Sequence, residues 1–195
     1  GAIWRSAGRH QIQRSKRKES GTVVNMRLAV FQPDIPQNLG AMMRLGACMG
    51  VPIDIIGPCG FPFSIDDPIA DKILKRVALD YAAQAEINGF ASWQAYASSR
   101  GNANGRLLLL TTSGDTPYTT FAYGVADVLL VGRETGGVPR TIHDQAYSRL
   151  RVPMTAGTRS LNVVVAAAMV LGEALRQTNA FTTEADTARP DEATS

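Results

Sequence analysis

Short apolar runs bounded by Gly, Pro, Asn or Asp punctuate the chain: Arg27–Phe31, Ile53–Ile56, Leu107–Thr111, Val128–Val131 and Leu150–Val152. Apolar side chains on consecutive positions fit parallel strands that are covered on both faces. The longer stretches between and after them predict helices over Leu39–Met49, Pro68–Leu79, Phe90–Ser98, Pro139–Tyr147 and Leu161–Arg176. Pro139 suits a first helical turn, and Ser160 is expected to cap the last helix. Residues 100–105, RGNANG, read as a loop. Alternation of strand and helix predicts an α/β fold, a doubly wound parallel sheet in a single domain.

The last helix carries apolar residues on nearly all faces from Asn162 to Leu175. Such a helix is buried. In a domain of this size one side is expected on the sheet and the other against a second copy, with Ala166, Ala167, Ala168 and Gly172 allowing close approach. The sequence therefore predicts a homodimer.

Charge divides the chain into three parts. Residues 1–25 hold Arg5, Arg9, Arg14, Lys16, Arg17 and Lys18 against Glu19, and residues 182–195 hold Glu184, Asp186, Asp191 and Glu192 against Arg189. The net charge of +3 thus sits largely in the N-terminal arm. The arm is expected to be a disordered extension, with Met26 directly before the first strand; gripping nucleic acid through phosphates is the other reading. The domain is expected over 26–181, followed by an acidic disordered tail over 182–195.

The longest apolar run, Val163–Leu171, is far shorter than the roughly 20 residues that cross a bilayer, so no membrane association is expected. Cys48 and Cys59 have no metal-ligand neighbours and read as free thiols of a reducing, cytoplasmic compartment.

Several chemistries lack their motifs. There is no GxxxxGK[ST] phosphate loop and no GxGxxG after a strand, which opposes nucleotide hydrolysis and nicotinamide redox chemistry. No HExxH or Cys/His cluster suggests zinc, so no metal is expected. His143 would have to serve any Ser–His–Asp hydrolase, but no GxSxG accompanies it, and it reads as a surface residue. What remains is a set of loops after strands: QPDIPQNLGAMMRLG, TTSG, GRETGGVP and PMTAGTRSLN. In doubly wound folds ligands bind at such strand ends. Gly-rich backbone there suits an adenosine-like ligand held by main-chain groups.

Three of these loops carry a family resemblance. N-x-G-x-x-x-R from Asn38 to Arg44, G-x-E-x-x-G-V-P from Gly132 to Pro139, and V-P-M…S-L-N from Val152 to Asn162 resemble the SPOUT methyltransferases. The opening FQPDIPQNLGAMMRLGACMG and the ALDY of Ala78–Tyr81 are most similar to the TrmL (YibK) group, the tRNA (cytidine/uridine-34)-2'-O-methyltransferases. The resemblance spans about residues 27–178. It implies a C-terminal trefoil knot, S-adenosylmethionine as methyl donor, the tRNA anticodon loop as partner, and a site completed across a dimer. By position it puts the donor on Leu110, Gly132, Val152 and Ser160, and Arg44 nearest the attacking 2'-hydroxyl.

The same resemblance makes Asn38, Glu134 and Asn162 a supporting or substrate-binding set. Glu134 is suited to orient Asn38 or Arg44, or to accept backbone N–H bonds. Asn162 reads equally as an ordinary helix-start asparagine. Arg133 and Arg159 are suited to tRNA phosphates. Two departures stand out: Val163–Val165 replace polar residues that often follow S-L-N, and Val77 replaces a small residue. A sibling enzyme modifying another tRNA or rRNA position, and a non-catalytic RNA-binding dimer, carry the same fold.

Overall fold

Burial is continuous along the central strands, and their side chains divide between two cores. The computed structural model describes residues 25–63, 85–101 and 105–181. The basic arm through residue 24, the helix expected over Pro68–Leu79 and the acidic tail lie outside them. Seven strands are described: β1 (Arg27–Phe31), β2 (Ile53–Ile56), β3 (Ile87–Phe90), β4 (Leu107–Leu110), β5 (Thr116–Pro117), β6 (Val128–Val131) and β7 (Ser148–Arg151). They form one sheet in the order β3-β2-β1-β6-β4-β7-β5, with every pairing parallel.

Side chains of successive strand residues point to opposite faces. Leu28, Val30, Ile53, Ile55, Leu108, Leu129, Val131 and Leu150 therefore join one core, packed under α1 (Pro36–Met49) and the C-terminal helix. Ala29, Phe31, Ile56, Leu107, Leu109, Val128 and Leu130 join the other, packed under α2 (Trp93–Arg100) and α3 (Arg140–His143). Helices on both faces make the doubly wound sheet that the strand pattern predicts.

The C-terminal helix α4 (Val163–Gln177) opens on three valines, which are poor helix formers. Each costs about 0.5 kcal/mol relative to alanine. Burial of Val170, Leu171 and Leu175 returns roughly 1.5–3 kcal/mol apiece, so packing decides the conformation. One face of α4 is buried on the sheet and on α1. The other leaves Val165 and Met169 exposed at 49% and 38%, one turn apart, with Leu161, 40% exposed, just before the helix.

Several elements differ from the sequence reading. β3 falls where a helix was expected to begin: Phe90 ends the strand, and α2 starts at Trp93 behind a Ser92 cap that accepts from the Ala95 N–H at 3.2 Å. β3 is a half-buried edge strand, so its INGF sequence lacks an apolar run. β5 is too short to signal and contains Pro117, which an edge position tolerates. α3 ends at His143 rather than Tyr147, because the chain turns into β7 at Ser148. β7 itself begins two residues before the expected Leu150. The α4 cap is Asn162, not Ser160, which lies two residues too early to reach the first turn. Cys48 and Cys59 are free thiols. Among the described residues no helix is long and apolar enough to cross a membrane.

Candidate functional site

The chain leaves β1 by α1 on one face of the sheet and leaves β6 by α3 on the other. β1 and β6 are neighbours, so their exits diverge and open a crevice at their C-terminal ends. The crevice continues across the ends of β4 and β7 as a cleft of about 700 Å³, within the range of small-molecule sites. Four segments line it: Ile35 and Asn38 after β1, Leu109–Ser113 after β4, Gly132–Val138 after β6, and residues from Val152 to Val163 after β7. The sequence-predicted Leu110, Gly132, Val152, Ser160, Asn38, Glu134 and Asn162 all lie on this lining. Arg44 does not; it is exposed further along α1, almost two turns beyond Asn38.

Gly132 shapes the cleft floor. The segment after it turns back on itself, with Arg133 and Gly137 exchanging N–H···O bonds of 3.1 and 2.8 Å. A Cβ on Gly132 would meet the Gly137 backbone at 2.6 Å. Gly137 turns the chain at φ +63°, in the left-handed region.

A polar chain ties three of these segments together. The Asn162 side-chain oxygen accepts from the Val164 and Val165 N–H groups at 2.8 and 3.4 Å. Its amide nitrogen donates to the Asn38 oxygen at 3.1 Å, and the Asn38 nitrogen donates to Glu134 Oε1 at 2.9 Å. Backbone N–H groups can only donate, and a carboxylate can only accept, so both ends force the same orientation on both amides. Asn162 is thus a helix cap and a link at once. Asn162→Ala should cost about 1 kcal/mol through the cap alone, read as a lower midpoint in urea denaturation, with α4 still helical by circular dichroism.

At its far end the chain closes on Asp34. The Asp34 N–H donates to Glu134 Oε2 at 3.1 Å, and the Glu134 N–H donates back to Asp34 Oδ1 at 3.2 Å. The Thr135 hydroxyl donates to Asp34 Oδ2, and Arg133 Nε lies 3.6 Å from the same oxygen. The adjoining Glu134 carboxyl, the Thr135 hydroxyl, the Glu134 N–H and Arg133 hold the Asp34 carboxyl down at about 2. Burial, reinforced by Asp34, pushes the Glu134 carboxyl up.

Three residues of the site were not singled out as such in the sequence. Asp34 and Thr135 stand beside recognised motif residues, and only the pairing of β1 with β6 brings them together. His143 was read as a surface residue. Its side chain is 21% exposed, it lines the cleft, and its Nδ1 is buried with no hydrogen bond. The short α3 turns it inward, which its polar neighbours concealed. Among the described residues no group of His, Cys, Asp and Glu is arranged to hold a metal ion.

The SpoU rRNA Methylase family matches residues 25–172, which include every segment of this cleft. The chain belongs to that family. The tRNA (cytidine(34)-2'-O)-methyltransferase of Beijerinckia indica is 45% identical over 162 residues, 83% of this chain and 98% of the relative. The protein of the same name from Escherichia coli K12 is 33% identical over 154 residues, 78% of this chain and 93% of the relative. A solved structure concerned with the 2-OH methylation of C/U34 on tRNA superposes with a TM-score of 0.72 at 30% identity, over 79% of this chain and 96% of the other. The resemblance drawn from the three loop motifs is thereby confirmed, and the SpoU methylase shares its fold with the solved structure.

Proposed function

We propose that the protein transfers a methyl group from S-adenosylmethionine to the ribose 2'-hydroxyl of the wobble nucleotide, C or U 34, of tRNA. The observation that carries this reading is the convergence of the three motif loops on one cleft. The names of the relatives supply the reaction and the nucleotide.

The cleft fits the donor. It joins apolar walls from Leu109, Leu110, Val138 and Val152 to loop backbone, with His143 on its lining. Leu110, Gly132, Val152 and Ser160 would hold the ligand, which supplies an electrophilic methyl on a sulfonium whose leaving group departs neutral. No acid is then needed for the leaving group. The protein's tasks are to place the ribose hydroxyl in line and to remove its proton.

Arg44 is the residue proposed to act on the hydroxyl. A guanidinium is a poor free base, with a pKa above about 12, so it acts as a fork that holds the hydroxyl and a neighbouring phosphate, with the phosphate helping to take the proton. Arg133 and Arg159, at the cleft, are suited to further phosphates.

Arg44 lies outside the lining of its own chain's cleft, which supports a site completed by a second copy. The exposed Val165 and Met169 on the helix that packs against α1, with Leu161 just before it, support the same homodimer. This reading also carries the C-terminal trefoil knot. It is supported by β6 and β7, which enter between strands formed earlier in the chain.

The test is direct. Enzyme, methyl-labelled cofactor and total tRNA are incubated, and nuclease digestion maps the labelled ribose. The label is expected at nucleotide 34; a methyl at any other position overturns the wobble assignment.

A further inference from the structure

Asp34 contributes more contacts to the Glu134 loop than any motif residue does. It lies after β1, 100 residues before Glu134 in the chain. Its carboxylate takes the Glu134 N–H on one oxygen and the Thr135 hydroxyl on the other, while its own N–H bonds the Glu134 carboxylate. Its surroundings leave it little freedom. Gly60, from the segment after β2, packs so closely that a Cβ there would lie 2.8 Å from the Asp34 Cβ. The Gly60 N–H also donates to the Pro33 carbonyl at 2.9 Å. Asp34 is therefore held from behind and bonded to the Glu134 loop in front.

Without this anchor, Glu134 keeps only Asn38 and one backbone N–H as partners on the β1 side. Asn38 and Asn162 take their orientation from Glu134. We infer that Asp34 is a positioning residue: it fixes the Glu134 carboxylate, and so makes the loops after β6 and β7 and the start of α1 a single rigid unit. Methyl-donor loops and the helix bearing Arg44 then keep one mutual geometry. The inference rests on the methyltransferase reading for its catalytic consequence and on hydrogen bonds alone for its binding consequence.

Protonation gives a readout that mere scaffolding does not. The charged groups near Glu134 are Asp34 from the β1 side and Arg133 beside it, and the same cleft is lined by Arg159 and the titratable His143. The adjacent Asp34 carboxylate opposes ionisation of Glu134. Removing that charge lets Glu134 ionise at lower pH, so activity that needs the Glu134 carboxylate persists further into acid.

The experiment compares wild type, Asp34→Ala and Asp34→Asn well below their melting temperatures. Calorimetry with S-adenosylhomocysteine should show affinity about tenfold weaker for Asp34→Ala, a cost on the scale of one of the two hydrogen bonds, from the Glu134 N–H and the Thr135 hydroxyl, that the variant loses. The KM for tRNA should change less than the affinity for S-adenosylhomocysteine, since Arg133, 3.6 Å away, is the one proposed RNA contact that Asp34 touches. Asp34→Asn keeps an acceptor for the Glu134 N–H; it should recover most of the affinity and move the acid limb of the kcat–pH profile to lower pH. Wild-type affinity in Asp34→Ala, or an unmoved acid limb in Asp34→Asn, overturns the inference. A wild-type protein that binds S-adenosylhomocysteine in an Asp34-dependent way yet methylates no tRNA upholds the positioning role and overturns the functional reading instead.

Discussion

Arg44→Ala is expected to lower kcat for ribose methylation by about 10²–10³-fold, the usual cost of removing a group aimed at developing charge. S-adenosylhomocysteine should bind the variant with wild-type affinity, because Arg44 is exposed on α1 and is no part of the cleft lining. The separation of the two effects is the point of the test. Single-turnover methylation reads the first and calorimetry the second. Equal loss of both would remove Arg44 from the reaction and make it a structural residue. Arg44→Lys should recover little, since an ammonium keeps the charge but loses the planar fork that can hold a hydroxyl and a phosphate together.

Gly132→Ala is expected to weaken S-adenosylhomocysteine binding by about a hundredfold, the upper end of overpacking costs near 3 kcal/mol. The new methyl would meet the Gly137 carbonyl carbon at 2.6 Å, its Cα at 2.7 Å and its oxygen at 2.9 Å. All three are backbone atoms, and a side-chain rotation cannot relieve the contact. The Arg133–Gly137 turn must open, and Glu134 moves with it, away from Asn38 and Asp34. Gly137→Ala is the control. Its Cβ would meet nothing within 4 Å, so only the left-handed backbone opposes it, at about 1–2 kcal/mol. Similar binding losses for the two variants would show that crowding at Gly132 is not what shapes the cleft.

The parts of this molecule that were legible in the sequence are those dominated by local pattern. β1, β2 and β6 run over the residues that their apolar runs predict. These strands are covered on both faces, so apolar residues fill nearly every position, and the exceptions in β1 and β2, Arg27 and Asp54, pair with each other. The half-buried β3 and the two-residue β5 lie at the sheet edges, where pairing supplies what composition does not. The loops that line the cleft were found because glycine and proline mark strand exits. Of the links between them only that of Glu134 to Asn38 was expected, since nothing local ties Asp34 to Glu134 or Asn38 to Asn162. His143 shows the same limit from the other side: a polar residue in a four-residue helix gives no periodicity by which its inward face can be read.

The position of β6 has a consequence for synthesis. β1 lies between β2 and β6, and β4 lies between β6 and β7. Until the ribosome has released residues 128–131, the only pairings open to the described strands are β1 with β2 and β2 with β3, β1 is left as an open edge, and β4 has neither of its partners. Exposed edges of this kind invite pairing between chains. The middle of the sheet is therefore completed late, by a segment that joins both halves at once. A chain ending before Val128 should form no stable remnant of the fold, and contacts this distant in sequence make the final docking slow.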